Sequence, residues 1–161
     1  MLKSLLVQII AFIAIFQLIS WFKTSSMLSG HQIKEVQAFI LPTIHDELVD
    51  LKATKAKTIV YFFAPWCEIC HASIGNLQAI YEKNDEIDVI AVALDYGDKS
   101  DVLAFTAKHQ LTFPVAYGDE KVKKSFKIQG YPSYYVLDEK NEIQAKSIGY
   151  STEVGLLLRS L

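Results

Sequence analysis

The chain has 161 residues, half of them hydrophobic and about a fifth charged, with a formal net charge of -2 at pH 7. That length suits one domain with a sizeable core, and the balance excludes both a disordered chain and a multi-span membrane protein. With Lys3 and Lys23 set aside, fourteen basic residues face eighteen acidic ones, and Arg159 is the one arginine, so no basic stripe is offered to nucleic acid.

The apolar excess lies at one end. Leu5 to Phe22 carries no charge, and only Gln8, Gln17 and Ser20 are polar. As a helix it would be about 27 Å long, close to the hydrocarbon thickness of a bilayer. Residues 5–22 are therefore read as the lipid-facing span of an uncleaved N-terminal anchor, residues 1–23. The alternative is a cleaved signal peptide, which would show a shorter apolar region and a small-x-small cleavage site; only the weaker cluster Thr24 to Ser26 follows. There is no third cysteine to carry a lipid. Lys3 and the terminal amine face Lys23 across the span, a slight bias toward a cytoplasmic N-terminus and an extracytoplasmic remainder. Residues 24–34, opening with TSSMLSG, have the composition of a linker to a domain at 35–161.

Phe39 to Leu41 reads as a short edge strand stopped by Pro42, and Ile44 to Lys52 is ambiguous between strand and helix. TIVYFFA, Thr58 to Ala64, is β-branched and aromatic without polar alternation, as in a strand buried on both faces. From Glu68 the period becomes helical through Cys70, Ile74, Leu77 and Tyr81, which predicts a helix over 67–83. Asp88 to Leu94 reads as a second buried strand and Ser100 to His109 as a helix with Asp101 in its first turn. Pro114 to Tyr117 is extended and Glu120 to Phe126 a short helix. Ser133 to Leu137 and Glu142 to Ile148 alternate around DEKN as a hairpin, and Ser151 to Glu153 open a last helix. This order predicts an α/β fold whose last two strands form an antiparallel hairpin, with reactive residues beyond the carboxyl ends of the parallel strands.

Cys67 lies at such an end, in PWCEICH, the stretch that holds both cysteines. A cysteine at a helix start has unpaired N–H groups and the positive end of the dipole beside it, which favours the thiolate. Cys67 is thus placed as nucleophile and Cys70, three residues on, as resolving partner. Glu68 should oppose the thiolate somewhat. C-x-x-C-H is also the attachment pattern of a c-type haem, with His71 as axial ligand and His31, His45, His109 or Met27 as a second. The buried strand before the pair leaves a haem no evident room, and neither a second C-x-x-C nor H-x-x-x-H supports zinc. A purely structural disulfide is the bland alternative. No cofactor is called for, and His71 is expected to be an exposed neighbour of the pair.

YFFAPWCEIC, Tyr61 to Cys70, resembles the active-site strand and turn of thioredoxins, and Gly130-Tyr131-Pro132-Ser133 resembles their cis-proline loop. The stretch between the two, LTFPVAYGDEKVKKSFKIQGYPSYYVLD included, is most similar to the TlpA/ResA-like group of membrane-anchored thioredoxins. The resemblance implies a thioredoxin fold, a central mixed sheet flanked by helices, and thiol-disulfide oxidoreductase activity. It implies Cys67 as attacking and Cys70 as resolving cysteine, Trp66 as flanking aromatic, Pro132 as cis-proline and the Tyr131 backbone as a partner for a substrate strand. It also implies location at the bacterial inner membrane with the domain in the periplasm, protein disulfides as substrates, apo c-type cytochromes among the clients, and a membrane electron donor for re-reduction. Oxidase or isomerase activity, or a non-catalytic binding module, are the alternatives. Two carboxylates of the pattern are missing. Tyr61 stands where thioredoxins keep a buried acid, and Ser73 where the TlpA/ResA-like group often has glutamate; Gly75 replaces a helix-kinking proline. Proton transfer to Cys70 is then left to water, Tyr61 or Glu68, although core packing is the simpler reading of Tyr61.

Overall fold

A computed structural model describes residues 7–15, 18, 26–28 and 39–160. Most of the stretches read as anchor and linker lies outside these. Residues 7–15 are helical, and among the described residues no helix is long and apolar enough to cross a membrane.

Two sheets organise the domain. A small antiparallel pair joins β1 (Ile40–Pro42) to β2 (Leu48–Asp50). Pro42 thus belongs to the first strand instead of stopping it, as proline can on an edge. The ambiguous segment after it resolves into the short second strand. The main sheet holds β3 (Lys57–Phe63), β4 (Ile87–Ala93), β5 (Val115–Tyr117), β6 (Ser133–Asp138) and β7 (Ile143–Ile148) in the order β5-β4-β3-β6-β7. β3, β4 and β5 run parallel, while β6 pairs antiparallel with both β3 and β7. This is the mixed sheet expected from the sequence.

Helices cover both faces. Along β3, Ile59, Tyr61 and Phe63 point to one face and Val60 and Phe62 to the other, and all five are buried. The first face packs against α1 (Glu68–Lys83) through Cys70, Ile74, Leu77 and Ile80. α2 (Lys99–Lys108) adds Val102 and Phe105, and α4 (Glu153–Ser160) adds Leu156. The second face packs against α3 (Glu120–Ser125), the small β1–β2 pair and the N-terminal residues Met27 and Leu28. Met27 and Leu28 fall inside the stretch read as linker, yet each is only 3% exposed. Three large buried tyrosines face these two layers, and their hydroxyls find partners: Tyr61 with Ser73, Tyr134 with Ser151, and Tyr135 with the Phe126 carbonyl.

Candidate active site

The loop from β3 to α1 is short, so the chain turns from a buried strand into a helix within four residues. Cys67 is the N-cap of α1, in extended conformation, and its Sγ accepts from the Cys70 N–H at 3.2 Å. The sulfur therefore occupies the place of a capping oxygen, where helix dipole and free N–H groups stabilise negative charge. Both cysteines are unpaired thiols; Cys67 is 7% exposed and Cys70 fully buried. Burial, reinforced by the Cys67 sulfur beside it, pushes the Cys70 thiol far above its ordinary range. The pair is asymmetric, with an outer sulfur at the helix N-terminus and an inner one buried and held as a thiol.

Beneath Cys70 stand the two residues that replace the expected carboxylates. Tyr61 on β3 and Ser73 on α1 hydrogen-bond to each other, Oη to Oγ, at 2.7 Å, and both are buried. The Tyr61 hydroxyl also lies close enough to the Cys70 thiol for each group to perturb the other. Burial, and then the proximity of Cys70, push the Tyr61 hydroxyl well up, so it remains a proton donor. Packing and polar contact coexist at this residue, whose ring also stacks on Phe63 at 6.4 Å.

On the outer side Trp66 is 63% exposed and its Nε1 donates to the Asp95 carbonyl at 2.8 Å. Asp95 follows β4, at another carboxyl end, with φ of 49°. Its carboxylate accepts from the Tyr131 hydroxyl at 3.0 Å and pairs with Lys123 at 2.5 Å. Trp66 and Tyr131 meet edge to face at 5.9 Å. Burial and the Asp95 carboxylate together raise the Tyr131 hydroxyl well above its usual range. The Tyr131–Pro132 peptide bond is cis, as the resemblance implied, and Pro132 is buried behind it. Trp66, Cys67, Asp95, Lys123, Gln129 and Tyr131 line a cleft of about 260 Å³. Glu68 is exposed in the first turn of α1, where solvent weakens its opposition to the thiolate.

His71 is not the exposed neighbour expected. Its Nε2 faces the Pro65 carbonyl at 3.0 Å and its Nδ1 faces His109 Nε2 at 2.7 Å, with Phe105 packed 4.6 Å from the ring. A carbonyl only accepts, so His71 Nε2 carries a proton and, in the neutral ring, Nδ1 accepts from His109. Burial first, then His71 and Lys108, hold the His109 imidazole below its ordinary pKa. Both nitrogens of His71 are thus engaged by protein groups, which argues against an axial haem ligand. Asp95 and Lys123 escaped the sequence reading, and His109 entered it only as a possible second haem ligand, because each joins the site from a distant loop or helix. The position of Asp95 just beyond a parallel strand was the one usable signal.

A model of the AhpC/TSA family matches residues 33–146. The chain belongs to this family. As a family member it is 27% identical to the sporulation thiol-disulfide oxidoreductase A of Bacillus subtilis over 146 residues, 88% of each chain. It is 26% identical to the thiol-disulfide oxidoreductase ResA of Bacillus cereus over 124 residues, 74% of this chain and 71% of that one. The crystal structure of StoA from Bacillus subtilis superposes with a TM-score of 0.69 at 27% identity, covering 78% of this chain and 98% of that one. This family member has the thioredoxin-like fold and is a thiol-disulfide oxidoreductase, and the TlpA/ResA-like resemblance stands.

Proposed function

We propose that this protein reduces disulfides of extracytoplasmic proteins from an N-terminal membrane anchor, residues 1–23, at the bacterial inner membrane. The observation that carries the reading is the asymmetry of the pair: Cys67 caps a helix while Cys70 is buried and protonated beneath it. Cys67 thiolate attacks one sulfur of a substrate disulfide; that bond breaks, a mixed disulfide forms, and one substrate thiolate leaves. Cys70 then loses its proton and attacks the Cys67 sulfur. The Cys67–Cys70 disulfide forms and the second substrate thiolate leaves, so two electrons pass to the substrate.

In this reading Tyr61 and Ser73 are positioning residues for the second step. Ser73 donates to Tyr61 and Tyr61 to Cys70, so a chain of neutral hydroxyls stabilises the forming thiolate without a carboxylate. Trp66 and Tyr131 wall the cleft, and the Tyr131 backbone, set by the cis bond to Pro132, offers a strand edge to the substrate. Glu68 stands exposed beside Cys67 in the first turn of α1. A membrane electron donor restores the dithiol, and apo c-type cytochromes, whose C-x-x-C-H must be reduced before haem attachment, are the clients the resemblance suggests.

The test is a Cys70→Ser variant in native membranes together with the reduction potential of the wild type. A reductase traps a covalent partner through Cys67 and has a potential near that of thioredoxin, about −270 mV. A potential near −120 mV, that of a strong oxidant, would reverse the direction. A Cys70→Ser variant that traps nothing would favour the non-catalytic binding module.

A further inference from the structure

The stretch that reads as a free tether is the place where the structure departs furthest from its sequence. Met27 and Leu28 are buried in the second core layer, against the face that holds Phe62, Phe126 and Tyr135. Their backbone is held by side chains far along the chain. Lys146 Nζ donates to the Met27 carbonyl at 3.0 Å and to the Leu28 carbonyl at 2.9 Å. The Leu28 N–H donates to the Tyr135 hydroxyl at 3.3 Å, while that hydroxyl donates to the Phe126 carbonyl at 2.6 Å. Ser26 Oγ donates to Gln129 Oε1 at 3.0 Å. Gln129 lines the same cleft as Cys67 and stands two residues before Tyr131. The chain is therefore fastened to the domain at the rim of the active site.

We infer that residues 26–28 act as a clip that keeps Cys67 close to the bilayer, and that the substrates are disulfides of membrane-held proteins. The inference rests on the anchor reading above. From Phe22, the end of the apolar run, to Ser26 is four residues, at most about 14 Å of chain. Allowing for the Gln129 side chain and the width of the cleft, the Cys67 sulfur stays within about 30 Å of the hydrocarbon boundary. Without the clip the next described attachment is Phe39, seventeen residues from Phe22, and a chain of that length spans at most about 60 Å before the domain's own width is added. A disulfide carried on a soluble protein gains nothing from the short reach. One held in a bilayer-embedded or bilayer-apposed partner meets a site confined to its own layer, and confinement raises the effective concentration.

The experiment uses the full chain reconstituted in phosphatidylcholine vesicles. The probes are lipid-anchored peptides that carry one intramolecular disulfide on helical spacers holding it about 15 Å or about 70 Å above the surface, spacer length set at 1.5 Å per residue. The wild type is expected to reduce the short probe at least tenfold faster than the tall one. Lys146→Gln combined with Ser26→Ala should loosen the clip, and twelve Gly/Ser residues inserted after Lys23 should lengthen the tether with the clip intact. Either change should bring the tall probe to within about threefold of the short one, with the rate on the same peptide free in solution unchanged. Equal wild-type rates on short and tall probes would overturn the clip. Release of the wild type from vesicles by alkaline carbonate would overturn the anchor reading and the clip with it, and is scored separately from the probe rates.

Discussion

Replacing Tyr61 by phenylalanine isolates the hydroxyl from the packing. The ring, 1% exposed and stacked on Phe63, is retained. Lost are the 2.7 Å bond to Ser73 and the hydroxyl beside the Cys70 thiol. A hydrogen bond to a charged group contributes about 1.5–3 kcal/mol, and at about 1.4 kcal/mol per pKa unit its loss raises Cys70 by roughly one to two units more. At any pH below the wild-type Cys70 pKa the thiolate population then falls about ten- to a hundredfold. The second step should slow by that factor, whereas attack by Cys67, whose sulfur is hydrogen-bonded to the Cys70 amide and to neither hydroxyl, should keep its rate.

A mixed disulfide of Cys67 with thionitrobenzoate reports this step directly, since attack by Cys70 releases a coloured thiolate that stopped-flow absorbance follows. In wild type and variant alike the logarithm of the rate should rise with pH. The variant should lie lower by one to two decades and keep rising to a higher pH. Ser73 is left without its partner in Tyr61→Phe, a cost of about 1–3 kcal/mol in stability. The double variant Tyr61→Phe, Ser73→Ala removes that orphan, so it should regain part of the stability and none of the rate. Release from Tyr61→Phe at the wild-type rate would refute the relay and leave both residues as packing.

Three further outcomes follow from neighbouring geometry. His109 is held below the ordinary imidazole pKa, so the unfolded chain binds its proton more readily than the native one; stability from this site is complete above about pH 6.5 and drains as pH falls through the histidine range. Thermal melting of His109→Gln should therefore fall less steeply with acid than that of the wild type. Gly118→Ala places a Cβ 2.7 Å from side-chain carbons of Leu94 and Val92, and urea unfolding should show a loss of about 1–3 kcal/mol from overpacking. Asp95→Ala discards the partly exposed ion pair to Lys123, at most about 1 kcal/mol of stability, but removes the acceptor of the Tyr131 hydroxyl and frees the Tyr131 wall of the cleft. A severalfold rise in KM for a peptide disulfide, with no change toward a small aromatic disulfide, is expected.

What the sequence made legible was what local pattern controls. The unbroken run TIVYFFA announces a strand buried on both sides, and β3 has that character; the change to helical spacing after Glu68 puts Cys67 at a helix start, where it is found. The thioredoxin-like sheet follows from the order of these elements. Long-range polar contacts were not legible. His71 and His109 are 38 positions apart, and nothing in either local stretch marks a pair. Tyr61 and Ser73 were each conspicuous as a missing acid, but only the register of β3 against α1 turns two absences into one hydrogen bond. Met27 and Leu28 sit in a run of small polar residues, and burying them depends on Lys146 and Tyr135 more than a hundred positions away.

The sheet separates the two devices proposed for this protein. Successive residues of a strand point to opposite faces, so Tyr61 looks toward Cys70 while Phe62 packs with the layer that buries Met27 and Leu28. β6 repeats the division, with Tyr134 on the cysteine side and Tyr135 holding the Leu28 amide. The hydroxyl pair governs how fast Cys70 resolves a mixed disulfide, and the clip governs which disulfides Cys67 can reach. Since the two share no contact and act on different steps, their effects on free energy should add. Tyr61→Phe combined with the pair Lys146→Gln and Ser26→Ala should show the slow resolution of the first and the extended reach of the second, each at the size it has alone. If Lys146→Gln also alters release of thionitrobenzoate from Cys67, the faces are coupled through the sheet and the division fails.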